Sequence, residues 1–132
     1  MLFHGRRIAI ALVTSVALPV LPHTAAALPS TEKGRISVDQ VMEMIAKADT
    51  SAVARQVLVA YVAGVGETAG AVVDTMGGKG PVSCARPFSL DAVSLRAILK
   101  SGAPRQDSWS QTPATPIIVA DMIKRAGCRI GN

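Results

Sequence analysis

Groups able to do chemistry are scarce in this chain, and the scarcity bounds its function. Its two histidines, His4 and His23, both fall within the first 27 residues. Those residues read as an export signal: Arg6 and Arg7 give a positive start, residues 8–21 an apolar stretch, and Ala25-Ala26-Ala27 the small residues of a cleavage site. Cleavage is expected between Ala27 and Leu28. Residues 28–132 then contain no histidine, so the usual general base for a serine or cysteine nucleophile is missing. Cys84 and Cys128 remain, but two cysteines without histidine cannot complete a tetrahedral zinc site within one chain. The nine acidic residues are spread along the chain, with no pair in an apolar setting that would raise a pKa for acid catalysis. No enzyme activity, metal or cofactor is expected.

Three near-motifs need separate treatment. Gly64-Val65-Gly66-Glu67-Thr68-Ala69 fits the G-x-G-x-x-A pattern of dinucleotide-binding turns. That motif wants an acidic residue about 20 positions on and a doubly wound sheet around it, yet Asp74 comes too early and only 62 residues follow Gly70. The run Gly77-Gly78-Lys79-Gly80-Pro81 lacks the spacing of a phosphate-cradling loop, because Val73 stands where the first glycine belongs and Lys79 is followed by glycine. It reads as a flexible connection. Asp39 and Glu43, four apart, share a helical face, and Lys47 one turn on makes that a solvated face rather than a catalytic pair.

The elements that position these residues are helical. Residues 52–76 form the longest proline-free run, with only Arg55, Gln56, Glu67 and Asp74 strongly polar. Val53, Val57, Tyr61, Val65, Val72 and Met76 recur at helical spacing. A helix apolar all round must be wrapped by other elements, so it is expected to be the central rod of the domain. A membrane span needs about 20 apolar residues, and only ten lie between Gln56 and Glu67. The small pairs Ala60/Gly64 and Gly66/Gly70 should admit a neighbouring helix closely. Before the rod, Ser37 is placed to cap a helix with Val38, Val41, Met42 and Ile45 inward. After it, Ser89 should cap a third helix with Leu95, Ile98 and Leu99 inward, ended by Gly102. Thr115-Pro116 should open a fourth, with Val119, Met122, Ile123 and Ala126 inward, stopped by Gly127. The fold class expected is all-α: residues 28–132 as one small bundle of about four helices around a long central helix, with one disulfide.

Removal of the leader lowers the net charge from +5 to +3, twelve basic residues against nine acidic. That charge is mild and scattered along the sequence, and Tyr61, Phe88 and Trp109 make no stacking platform, so nucleic acid is not an expected partner. Nor is a membrane, once the leader is gone. In an exported protein Cys84 and Cys128 are expected to pair. Binding is the remaining role, and the exposed candidates are Arg105, Asp107 and Trp109 in the loop before the fourth helix, since Trp and Arg dominate binding hot spots. The alternative for Trp109 is a lid on the core.

The chain resembles the Rap/Tai family of type VI secretion immunity proteins from about residue 37 to residue 128. Tyr61-Val62-Ala63-Gly64-Val65 looks like the family's tyrosine-to-glycine segment in its long helix. Cys84-Ala85-Arg86-Pro87 is similar to its cysteine-proline step, Ala103-Pro104-Arg105 to its proline loop, and Gly127-Cys128 to its cysteine ending. Leu58 stands where members often carry a further cysteine, the cysteine-proline step is one residue longer, and Gly127 replaces a common proline. The resemblance implies a periplasmic, all-helical protein, often a homodimer, that binds a secreted peptidoglycan amidase and blocks its active site. The alternative is a small periplasmic acid-stress chaperone, or a helical periplasmic protein with no toxin partner.

Overall fold

The computed structural model describes residues 30–77 and 82–130; the proposed leader, its cleavage point at Ala27 and Leu28, and most of the glycine-rich connection lie outside the described residues. Four helices account for the fold: α1 (Val38–Ala48), α2 (Ala52–Met76), α3 (Ala92–Gly102) and α4 (Ala114–Ala126). A two-residue antiparallel ribbon, β1 (Val82–Ser83) with β2 (Arg129–Ile130), pairs Val82 with Ile130 and Ser83 with Arg129. The all-α bundle expected from the sequence is present, with one disulfide.

Three of the four helices begin where a side chain satisfies one of the first free N–H groups. Ser37 accepts from Gln40 N–H while the Gln40 side chain accepts from Ser37 N–H, a reciprocal capping box. Ser51 accepts from Ala54 N–H at the head of α2. For α3 the cap is Asp91, which takes Ser94 N–H at 2.8 Å, and not Ser89 two residues earlier. A carboxylate satisfies the N–H groups and the positive helix end together, which decides the position. Helix α4 starts at Ala114, two residues before Pro116, the predicted first helical position, because Ala114 N–H bonds Ile36 C=O across a bridge between Ser37 and Pro113. That bridge ties the heads of α1 and α4 side by side. The stop at Gly127 is left-handed, φ 61°, a conformation that favours glycine.

The core lies where α1, α3 and α4 converge on one side of α2. Val38, Val41 and Ile45 from α1 meet Leu95 and Leu99 from α3 and Ile118 and Met122 from α4, all fully or almost fully buried. Ile118 belongs to this centre although the predicted α4 stripe omitted it. Val119 and Ile123, which that stripe included, are half-buried at its edge. Helix α2 contributes Leu58, Val65, Ala69 and Val73. Surface ion pairs decorate the helices, Lys47 with Glu43 and Arg125 with Asp121, each at 2.6 Å and four residues apart. Their exposure limits what they add.

Gly66 and Gly70 do admit a neighbour, but it is a loop rather than a helix. The Phe88 ring lies over Gly70, and a Cβ on Gly66 would sit 2.6 Å from the Phe88 carbonyl oxygen. Gly66→Ala is therefore expected to destabilise the fold by about 1–3 kcal/mol by overpacking, despite alanine's better helix propensity. Gly64→Ala serves as the control: its Cβ meets nothing within 4 Å, so alanine there should be neutral or stabilising. Denaturant titration of both variants checks the pair. Gly102 has the same kind of role at the end of α3, where a Cβ would lie 2.5 Å from the Ile117 side chain.

Candidate partner-binding surface

The loop residues singled out from the sequence occupy a short 3-10 turn, Gln106–Ser108, between α3 and α4. Arg105 and Asp107 are exposed, and among the described residues neither has an ion-pair partner. Trp109 is half-buried and packs on the core, and its Nε1–H donates to Ala103 C=O at 2.7 Å. Its carbonyl in turn accepts Asp39 N–H in the first turn of α1. Trp109 thus closes the core and steadies a helix start, the lid alternative of the two read from sequence. Its indole N–H is already spent, which leaves Arg105 and Asp107 as the outward groups of that loop.

A larger feature lies on α2. The apolar run predicted a helix wrapped on all sides, but α2 is buried on one side only. Of its most apolar 18-residue window, 28% is buried. Val53 is 70% exposed, Val57 51% and Met76 67%. The open face follows Val53, Val57, Ala60, Gly64, Glu67 and Ala71, in steps of four and three residues that keep one side of a helix in line. A signal for this was present. Gln56, Glu67 and Asp74 are separated by 11 and 7 residues, about three and two helical turns, so three of the four polar side chains mark a single face. By length and mean hydropathy alone α2 is long and apolar enough to cross a membrane. Those same polar residues interrupt the face that lipid would meet.

Beside this face runs a groove of about 470 Å³ between the N-terminal half of α2 and the segment leading into α3. Leu58, Val59 and Val62 form one wall, and Phe88, Leu90 and Leu95 the other. Three charges stand at its rim. Asp49 lies 3.8 Å from Arg96, and Asp91 is engaged by Ser94 through both oxygens, at 2.8 and 2.9 Å. The Ser94 backbone N–H, then its hydroxyl, hold the Asp91 carboxyl below its ordinary pKa. Arg55, the third rim charge, is exposed and, like Asp91, makes no ion pair among the described residues. Val93, 81% exposed at the head of α3, adds a further bare apolar side chain.

On the opposite flank Tyr61 is fixed. Its hydroxyl shares a 3.0 Å hydrogen bond with the Thr115 hydroxyl. Burial pushes the phenol above its ordinary pKa, partly offset by that hydrogen bond. The folded value exceeds the unfolded one, so this contribution to stability is complete below about pH 10 and is lost as pH rises through the folded value. Tyrosine absorbance during alkaline titration should show Tyr61 ionising later than free tyrosine.

Among the described residues the surface offers apolar contact and a few fixed charges. Among the described residues no three His, Cys, Asp or Glu side chains lie together as metal ligands. No known protein family, curated protein or solved structure matches the chain.

Proposed function

We propose that this protein is an exported binding module that neutralises a peptidoglycan amidase or similar wall hydrolase by covering its active site, with the open face of α2 and the adjoining groove as the contact. The observation that carries this reading is the two-sidedness of α2. Val53 and Val57 stand on its open face and Val59 lines the apolar groove, all three more than half exposed. Contiguous apolar surface of that kind marks interaction sites on soluble proteins. The resemblance to amidase immunity proteins supplies the class of partner, and the export signal supplies the compartment.

Size exclusion of the purified protein with any secreted amidase encoded beside it, together with a wall-clearing assay, tests the reading. A stoichiometric complex and loss of clearing are expected. Val57→Asp should weaken the complex by at least tenfold while leaving the fold intact, since burying an unpaired carboxylate is costly and Val57 is exposed in the free protein. No complex with any adjacent hydrolase removes the proposal.

A small acid-stress chaperone would use the same apolar face, so it is the competing reading. It requires that face to enlarge as pH falls. Hydrophobic-dye binding that climbs steeply in acid, with gained holdase activity, would favour it.

A further inference from the structure

The mild positive charge of residues 28–132 looks scattered in the sequence and is gathered by the fold. Arg86 comes from the loop after β1, Lys124 and Arg125 from the last turn of α4, and Arg129 from β2. These segments are drawn together by the Cys84–Cys128 bond, by the β1–β2 ribbon, and by Ala85 and Arg86 N–H groups that both donate to Ala126 C=O. Two adjoining hollows result, of about 450 and 470 Å³, which share Ala85 and Gly127. All four cations are exposed, and Asp121 is the one acid lining either hollow, already paired with Arg125 at 2.6 Å. The remaining basic and acidic residues of 28–132 number eight each and cancel. Arg86, Lys124, Arg125 and Arg129 against Asp121 thus give the two hollows a net charge of +3.

Helix α2 runs toward the same end: Tyr61 bonds Thr115 at the head of α4, and Phe88, two residues after Arg86, packs on Gly66 and Gly70. Helix α2 finishes at Met76, six residues before Val82 of the ribbon, and Met76 is 67% and Val72 37% exposed. Cations beside protruding apolar groups complement a surface of anionic headgroups over an apolar interior. We propose that the disulfide-bonded end of the protein docks on the surface of anionic phospholipid, lying on the membrane rather than spanning it. An acidic protein would be met by the cations alone and gives no use to Met76 and Val72, which is why lipid is the occupant argued here. This inference is independent of the amidase reading, since neither the open face of α2 at Val57 nor the groove takes part.

Vesicle co-sedimentation tests it, with protein whose mass has been recorded so that the state of residues 1–27 is known. Phosphatidylcholine vesicles are compared with vesicles in which phosphatidylglycerol makes up about a third of the lipid. Each basic residue near such a surface contributes roughly fivefold, so three net charges should give a preference on the order of 100-fold at low salt. The preference should fall sharply at about 1 M salt, where the screening length drops to about 3 Å. Lys124→Ala with Arg129→Ala should reduce binding by about 25-fold. The control double variant, Lys33→Ala with Lys100→Ala, has the same net charge and should bind as the parent does. All four positions are exposed, and circular dichroism confirms that each variant folds. Equal loss in both double variants would reduce the effect to overall charge and overturn the proposal. So would unaltered binding by Met76→Ser with Val72→Ser, or tighter capture on immobilised polyglutamate than on vesicles, which would assign the patch to an acidic protein.

Discussion

Serine at both Cys84 and Cys128 should lower the free energy of unfolding by about 4 kcal/mol, the largest single effect expected in this protein. The bond joins residues 44 apart, and closing a loop of that length removes conformational entropy from the unfolded chain. A domain of this size has about 5–15 kcal/mol of stability in total, so the loss is a large share of it. The melting temperature should drop by about 15–30 °C, at about 4–8 °C per kcal/mol for about 100 residues. Dithiol reductant should bring the parent protein to the same value. A shift of only a few degrees would mean that the loop is already constrained in the unfolded chain. The consequence is also local, because the same bond holds the segment that carries Phe88 over Gly66 and Gly70. Reduced protein should therefore show faster amide exchange along the buried side of α2 before it unfolds globally.

Leu99→Ala should cost about 3 kcal/mol, within the usual 2–5 kcal/mol for a buried leucine. Leu99 is fully buried in the cluster built by α1, α3 and α4. Its neighbours there, Val38 and Val41 of α1 and Ile118 and Met122 of α4, are fixed from two other helices and cannot all collapse into the space left behind. Val53→Ala removes two methyl groups from a side chain that is 70% exposed, and should change stability by no more than about 0.5 kcal/mol. Urea titrations of the two variants give a direct comparison. A loss at Val53 as large as that at Leu99 would show that the open face of α2 is covered in solution, as it would be in a dimer of this chain.

The helices were legible because each carries its own local signals. Ser37 and Ser51 announce helix starts, Gly127 announces a stop, and the 25 residues of α2 fall where proline and turn residues allow no interruption. The errors have equally local causes. Ser89 and Asp91 both suit a cap, and Asp91 takes the place because its carboxylate meets both the Ser94 N–H and the positive end of the helix. A stripe drawn through Val119 and Met122 misses Ile118, because it drifts by one position against the inward face of Ala114, Ile118, Met122 and Ala126. Trp109 could not be placed from sequence, since a half-buried indole bonded to Ala103 C=O and an exposed one look alike in a polar, proline-bearing loop.

The sequence by itself determined the class of fold and the extent of the long helix, because these follow from periodicity and end signals, and it made the pairing of Cys84 with Cys128 the expected outcome. It also determined that residues 28–132 lack a histidine for catalysis. Only the tertiary structure decided which side of α2 is covered. An apolar helix can bury any face, and the choice depends on where α1, α4 and the Phe88 loop come to rest. The gathering of Arg86, Lys124, Arg125 and Arg129 was likewise a tertiary decision. Charges about 40 residues apart in a chain have no common field until a ribbon and a disulfide bring them together.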